Sequence, residues 1–513
     1  MGAPAAPSIA VTISREMNDS PIIAIIDVGS NSVRLLVARQ LTDSAFEVID
    51  EERYDARLGA GQAGKDLPEE SLERGLRALK VMAGVARSHN PSQIVAVGTE
   101  ALRRAQNSAA FVAEARRRTG LTVRILTGEE EARAGFLGVV NSTSLVDGHL
   151  LDIGGGSLEL MRVEGRSLST ITSAPLGAIY ATERYFRTDP PSTRDVRALR
   201  KAVRQHFTVE GPLPELFGAG GSVRNLARMV RARRQYPLRR LHGFVIRRSE
   251  VRRFARLLVA APPEERRKFP GMSANRIDIL PAAAVVIDEV MELTGATTLT
   301  VSGQGLREGI LWQQLRRSQS IVPDVRAASI AGLAAANGGD AVDGAKTAAT
   351  AAVLFEASRS IHGLVDGYLD LLHSAAVLAN VGMHIEFYNR ERHAEYLVHS
   401  GDLHGFSHRE VVLLGALVRW AGSGTPDLAP YARVVEPEDA RTATVLTTLL
   451  GVARAIHRRH PTPVNNVSAA VDGGQFQVVL KGEDELGPEL HALSGQVRRF
   501  EAVFKLPMRV SVE

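Results

Sequence analysis

Through residues 21–318, short apolar runs alternate with segments whose apolar positions recur at helical spacing. Residues 21–40 read as a strand, a turn and a second strand, and 45–54 as a third strand that completes a β-meander. Leu72, Leu76, Leu79, Val81 and Val85 predict a helix over 71–89. A buried strand at 94–99 follows, then a helix over 109–119 and a strand over 122–126. Further strands are expected at 150–153, 167–173, 216–219 and 298–301. Helices are expected to begin at Gly177 and Gly221 and to cover 194–206 and 277–292. This pattern is two α/β lobes joined near Asp147 and Gly148. From about Asp324 the strand signal fades. Helical segments lie at 354–359, 369–378, 409–421 and 439–457. A strand-turn-strand at 469–480, a helix at 486–504 and a strand at 508–512 close the chain. Residues 1–20 are small, polar and Pro-containing, and disorder is expected there.

One turn organises the first part. Leu150-Leu151-Asp152-Ile153-Gly154-Gly155-Gly156-Ser157-Leu158-Glu159-Leu160 is an apolar run, an aspartate, three glycines and a serine, then a glutamate. Glycines let a ligand approach main-chain N–H groups, and successive N–H groups form an anion-binding concavity. Asp152 would repel a bare phosphate, so a Mg²⁺ between them is expected. The plain alternative is a β-hairpin with a Gly-rich turn. An earlier stretch argues against it: Ile26-Asp27-Val28-Gly29-Ser30-Asn31-Ser32-Val33-Arg34-Leu35 repeats the spacing. Asp27 aligns with Asp152, Gly29 with Gly154 and Ser32 with Ser157, so two related units are expected to face one cleft. The copies differ at Arg34 and Glu159, which places a cation and a carboxylate on opposite walls. A third Gly-rich turn, Gly220-Gly221-Ser222, precedes a helix and suits phosphate. Arg103 follows Thr99 by one helical turn at the end of a strand. Among Glu129-Glu130-Glu131, one or two glutamates are explained by helix-start electrostatics, which leaves Glu131 as a candidate general base.

Composition narrows the class. The chain has 513 residues, enough for three or more domains. It contains no cysteine, which excludes disulfides, thiolate metal sites and cysteine nucleophiles. No apolar run is long enough to span a bilayer and no signal peptide is evident, so a cytoplasmic location without membrane contact is expected. The net charge of +5 is weak evidence for a polyanionic partner, and arginines are dense from Arg224 to Arg253. That stretch could hold a polyanion, but a charge-rich solvated face is the more frequent explanation of such density.

Taken together, these segments resemble the Ppx/GppA phosphatase family of exopolyphosphatases and guanosine pentaphosphate phosphohydrolases. The resemblance is carried by Asp27 to Arg34, Thr99 through Arg103 to Asn107, Gly128 to Ala132, Asp152 to Glu159, Gly218 to Ser222 and Gly305 to Gly309, in the family's order. It implies an α/β, two-lobed fold of the actin/hexokinase/Hsp70 ATPase type. It implies catalytic roles for Glu131 and Glu159, metal association for Asp27 and Asp152, and phosphate-binding turns at Gly29, Ser30, Asn31, Ser32 and at Gly154, Gly155, Gly156, Ser157. Arg34, Arg103, Gly220, Gly221 and Ser222 join the expected phosphate contacts. Mg²⁺ is the expected cofactor. Inorganic polyphosphate or guanosine pentaphosphate is the expected substrate, with a homodimer and no specific nucleic acid as the partner expectation. Hydrolysis of a terminal phosphoanhydride needs positioned water and charge neutralisation rather than covalent help.

The resemblance also implies an all-helical HD-like domain after the lobes, then a small α+β C-terminal cap. The expected parts are an extension at 1–20, lobes at 21–148 and 149–320, the helical domain at 321–462 and the cap at 463–513. Six of the fourteen histidines fall between His373 and His408, which invites a metal reading. Where the HD pair should precede a Val-Gly step, Ala379-Asn380 stands before Val381-Gly382. Alanine cannot ligate, so the domain is expected to be metal-free, with no metal on His373, His384, His393 or His399. Three other readings compete with the exopolyphosphatase: a guanosine pentaphosphate phosphatase, an actin-like sugar or acetate kinase, and a non-enzymatic polyphosphate or alarmone sensor.

Overall fold

The first strand is apolar on both faces because both faces are covered. In β1 (Ile22–Val28), Ala24, Ile26 and Val28 pack with Leu76, Leu79 and Met82 of the Glu69–Ser88 helix. The alternate residues Ile23 and Ile25 pack on the other side with Ala134, Ile310 and Leu311. That is the two-residue period of a strand buried between layers. The structure is a computed structural model that describes residues 20–60, 66–209, 211, 213–316, 319–339, 341–483 and 485–513. The expectation of disorder at 1–20 therefore lies, but for Ser20, outside the described residues.

β1, β2 (Val33–Thr42) and β3 (Ala45–Tyr54) form the anticipated meander; β4 (Gln93–Gly98) and β5 (Val123–Ile125) add parallel to β1. The sheet order is β3-β2-β1-β4-β5. A second sheet holds β6 (Gly148–Ile153), β7 (Leu158–Glu164), β8 (Ser167–Ala174), β9 (Glu215–Ala219), β10 (Val245–Arg247) and β11 (Thr298–Val301). Its order is β10-β11-β9-β6-β7-β8. Read β6 for β1, β9 for β4 and β11 for β5, and the two sheets share one topology, with β10 as an added antiparallel edge. The repeated Asp-x-Gly turn is thus the visible trace of a duplicated sheet. Both turns lie at the carboxyl end of the first strand of each sheet, where parallel α/β sheets bind ligands. This is the two-lobed actin/hexokinase/Hsp70-type fold.

Two helices join the lobes. Gly128–Val140 gives Ala132, Phe136 and Val139 to the core beneath β6, β7 and β9, and Ala134 to the core beneath β1. Leu306–Leu315 crosses it closely. A Cβ on Gly309 would lie 1.7 Å from the Ala134 carbonyl oxygen, and one on Gly138 would lie 2.1 Å from the Gly305 carbonyl oxygen. Only glycine permits that approach.

The described residues form two compact units: 21–325 with 404–407, and 326–403 with 408–513. The second contains the helices Val325–Ala336, Ala341–Ala357, Gly367–Leu378, Arg390–Ser400, His408–Trp420 and Asp439–Ile456. Its small sheet is ordered β12 (Val464–Asp472), β13 (Gln475–Gly482), β14 (Met508–Val512). The Gly487–Phe504 helix packs on Asp439–Ile456, so the 463–513 segment belongs to the same compact unit as the helices. Two of these helices, Val325–Ala336 and Arg390–Ser400, were not anticipated, and of Ala341–Ala357 only the end was, within the expected segment 354–359. Val325–Ala336 and Ala341–Ala357 are alanine-rich (residues 327–336 read AASIAGLAAA), which blurs the apolar period. At the altered HD position, Ala379 is buried and Asn380 Oδ1 accepts a 3.4 Å bond from Arg454. The Arg454 guanidinium is itself buried, which pushes its pKa down to about 10. His373 and His384 are exposed, His393 lies 3.4 Å from Glu386, and His399 bonds the Tyr431 hydroxyl at 3.1 Å. Among the described residues, no three His, Asp or Glu side chains are placed to hold a metal, and no helix is long and apolar enough to cross a membrane.

The helix crossing yields a paired prediction. Gly309→Ala should force the two helices apart and destabilise the protein by about 1–3 kcal/mol, the usual range for overpacking. Gly84→Ala lies in the exposed interior of the Glu69–Ser88 helix with nothing within 4 Å of its new Cβ, and should stabilise by roughly 0.5–1 kcal/mol. Urea unfolding of both variants checks this; equal midpoints would remove the close crossing from the account.

Candidate active site

The two repeated turns are built alike. The Gly29 N–H donates to Ser32 O at 3.2 Å, and the Gly154 N–H donates to Ser157 O at 3.0 Å. Asp27 pairs with Arg34 across β1 and β2, and Asp152 pairs with Glu159 across β6 and β7, so the sequence asymmetry falls at one register position. The turn carbonyls are held from outside. Gly59 and Arg57 donate to Ser30 and Asn31, and Gly177, Ala178 and Ile179 donate to Gly156, Gly154 and Gly155. No N–H of Ser30, Asn31, Ser32, Gly155, Gly156 or Ser157 has a protein acceptor among the described residues. Each turn therefore offers donors to an anion. The turns face each other, since a Cβ on Gly155 would come within 3.0 Å of Ser30 Cβ.

Between them lies a cavity of about 110 Å³. Its wall includes Asp27, Gly29, Ser30, Asn31, Ser32 and Arg34 from the first lobe, and Asp152, Gly154, Gly155, Gly156, Ser157, Gly220 and Gly221 from the second, with Glu131 between. Arg103, Glu159 and Ser222 stand behind the wall. Arg103 donates to Glu131 Oε2 at 2.8 Å and to the Leu126 carbonyl at 2.9 Å, so it holds Glu131. Ser222 is fully buried and accepts a 3.1 Å bond from Arg276. Glu159 is buried and accepts a 2.9 Å bond from Ser173.

Several wall residues escaped the sequence reading. Arg276, Arg224, Arg307, Glu308 and Glu100 all line the cavity. Arg276 lies in a short turn with no motif around it. Arg224 is hidden in the arginine-dense stretch, although its place two residues after the third Gly turn is a usable signal. Glycines mark two of these approaches. A Cβ on Gly221 would sit 2.0 Å from the Arg276 guanidinium, and one on Gly156 would sit 1.8 Å from a Glu100 carboxylate oxygen. Gly220 also holds a left-handed φ of 95°, which favours glycine.

The three glutamates at the helix start separate by environment. Thr127 and Glu130 form a capping box, Glu129 is exposed and pairs with Arg133 at 2.7 Å, and Glu131 turns into the cavity. Burial pushes the Glu131 carboxyl up to about 7 against the pull of Arg103, with Asp27 and Asp152 adding to the rise. Burial pushes Asp152 up to about 6 and raises Asp27, whose Oδ1 is buried without a hydrogen-bond partner. Glu159 is raised well above the carboxylate range, by burial first and then by Glu131 and Asp152. On the cationic side, burial and mutual repulsion pull Arg34 down to about 10 and Arg276 to about 9. Desolvated carboxyl groups and crowded guanidiniums are thus interleaved around one cavity, with Arg34 and Arg307 acting on Asp27 and with Arg224 and Arg34 acting on Asp152.

A duplicated α/β fold whose two hairpin turns offer main-chain donors to one cavity, beside buried carboxyl groups and guanidiniums, has the features of a phosphoryl-handling cleft. The chain belongs to the Ppx/GppA phosphatase family: the family's sequence profile matches residues 36–318, and that of Ppx/GppA phosphatase domain III matches residues 325–485. Solved structures agree. A Ppx/GppA family member of Aquifex aeolicus is 29% identical, with a TM-score of 0.52, covering 58% of this chain and 99% of its own. An exopolyphosphatase-like protein is 26% identical, with a TM-score of 0.53, covering 58% and 100%. An exopolyphosphatase of Cytophaga hutchinsonii, 23% identical with a TM-score of 0.54 and coverage of 59% and 100%, shares the fold.

The raised carboxylates make a stability prediction. Their folded pKa values exceed the unfolded ones, so the folded state holds more protons between the two, and stability falls as pH rises through that window. For Asp152 the window runs from the ordinary aspartate value up to about 6. In EDTA, Asp152→Asn should melt a few degrees above the parent protein at pH 7.5, and the difference should shrink towards zero at pH 4.5. Scanning fluorimetry at both pH values checks it; a gap that widens on acidification reverses the sign.

Proposed function

We propose that the protein is an exopolyphosphatase, removing the terminal phosphate of inorganic polyphosphate by Mg²⁺-assisted attack of water in this cavity. The observation that carries the reading is the meeting of one carboxyl group that titrates near neutrality, Glu131, with two donor turns and four guanidiniums around a single cavity. A chain of phosphates is favoured over a nucleotide because no aromatic side chain lines the cavity to stack a base. The exopolyphosphatase-like relative at 26% identity points the same way.

Asp27 and Asp152 fit the metal. Their carboxylate oxygens are the donors a hard cation takes, and Mg²⁺ is commonly held by one or two carboxylates plus substrate phosphates. When bound, the ion supplies positive charge beside the phosphates. The Gly29–Ser32 and Gly154–Ser157 turns grip the terminal phosphate through main-chain donors. Arg34, Arg224, Arg276 and Arg307 offset the charge of the phosphates behind it. Glu131, oriented by Arg103, accepts the proton of the attacking water; a base titrating near operating pH is the efficient choice. Burial first, then Glu131 and Asp152, raise the Glu159 carboxyl and so favour its uncharged form, and behind the wall it serves as a positioning residue.

Phosphate release from long-chain polyphosphate, guanosine pentaphosphate and ATP with Mg²⁺ tests the substrate. Polyphosphate should be turned over fastest, and release only from guanosine pentaphosphate would replace this reading. Glu131→Gln should lower kcat on polyphosphate by ~10²–10⁴-fold with KM nearly kept. Glu129→Gln should stay within a few-fold of the parent enzyme. The base must be deprotonated, so at limiting Mg²⁺ the parent's kcat/KM should fall as pH drops through about 7. An acid limb at the ordinary glutamate value, ~4.3, would assign the base elsewhere.

A further inference from the structure

A second cationic site lies on the same unit, away from the cavity. Arg233, Arg247, Arg253 and Arg256 line a broad surface depression beside Arg234 and Arg252. Arg234 pairs with Glu250, which also lines the depression and acts on Arg247, and Arg252 pairs with Glu292; Arg233, Arg247, Arg253 and Arg256 are exposed and form no ion pair among the described residues. The guanidiniums outnumber the one carboxylate in the depression, which leaves a strong local positive field.

One helix connects this depression to the cavity. Gly221–Arg234 begins at the third Gly turn on the cavity wall and ends in the depression. Arg224, Arg228 and Arg231 recur at helical spacing on one face of it, and Arg234 lies a step further round. Arg224 lines the cavity, while the Arg228 Nε is buried and has no hydrogen-bond partner. Arg228 is also crowded by Arg231 and by Arg53 of the first lobe. From Arg224 to Arg234 the row covers about 15 Å at 1.5 Å per residue. An arginine row with one end at the reaction site and the other in an open basic depression matches a linear polyanion held at its end and along its length.

We propose that the depression is an exosite for the distal part of the polyphosphate chain whose terminal phosphate sits in the cavity, with Arg228 and Arg231 guiding the chain between them. The proposal rests on the polyphosphate reading above. A nucleic acid is the weaker occupant, because no aromatic side chain lines the depression for base stacking.

The test uses the full-length protein with Arg233→Gln, Arg247→Gln, Arg253→Gln and Arg256→Gln combined. All four side chains are exposed, and circular dichroism verifies the fold. On polyphosphate of hundreds of units, KM should rise tenfold or more with kcat kept. The salt dependence of that KM should flatten, because fewer counterions are released. Tripolyphosphate, too short to reach the depression from the cavity, should be hydrolysed as by the parent. An unchanged long-chain KM, or an equal loss on both substrates, overturns the exosite. Direct titration with long-chain polyphosphate separates the two readings. Binding lost in the variant by a protein that hydrolyses no polyphosphate keeps the exosite and sinks the exopolyphosphatase; normal turnover with unchanged binding does the reverse. If the variant loses affinity for duplex DNA alone, the depression is a nucleic-acid site and the proposal falls.

Discussion

The first unit depends on holding four carboxyl groups together where water is scarce. Asp27, Glu131, Asp152 and Glu159 meet in one desolvated place, and burial is the first cause of every upward shift among them. Isolated buried carboxylates are costly, so the fold must impose this meeting. It does so with rigid parts. Asp27 and Asp152 are fixed by strand register, each one residue before the end of a fully paired central strand. Glu131 is fixed by a capped helix that is wedged between the two sheets. The glycines at 138 and 309 let a second helix lock that wedge in place. Strain in charge at the cleft is thereby supported by apolar packing below it.

Duplication explains how opposite charges come to share one small cavity. Two copies of the same hairpin turn present main-chain donors to a common space. At one register position the first copy carries Arg34 and the second carries Glu159. The remaining cations arrive from later elements, with Arg224 and Arg307 at the starts of helices and Arg276 on a short turn. On the proposed reading, this combination of fixed dipoles, cations and a positioned carboxyl group is what phosphoryl transfer asks of a protein.

Much of this was legible in the sequence, and the limits have physical reasons. The repeated Asp-x-Gly-x-x-Ser turn disclosed the duplicated sheet, because glycine and serine are demanded locally by the turn itself. Glu131 was separable from Glu129 and Glu130 because only two acids are needed to satisfy a helix start. Arg276 was invisible, since its role comes from a tertiary approach to Gly221 that no local pattern records. The spacing suggests a phosphate contact for Arg103; one of its terminal nitrogens bonds Glu131, an approach between helices that sequence spacing does not record. The alanine-rich helices at Val325–Ala336 and Ala341–Ala357 lacked a polar face to mark their period.

The central claim is that burial keeps protons on the cleft carboxylates until a cation and a phosphate displace them. Isothermal titration of the protein with Mg²⁺ and pyrophosphate, in two buffers of different ionisation enthalpy, counts protons exchanged on binding. At pH 6.5 the account predicts net proton release, smaller for Asp152→Asn and for Glu131→Gln. Binding with no proton release at that pH, or release unaffected by either substitution, would contradict it.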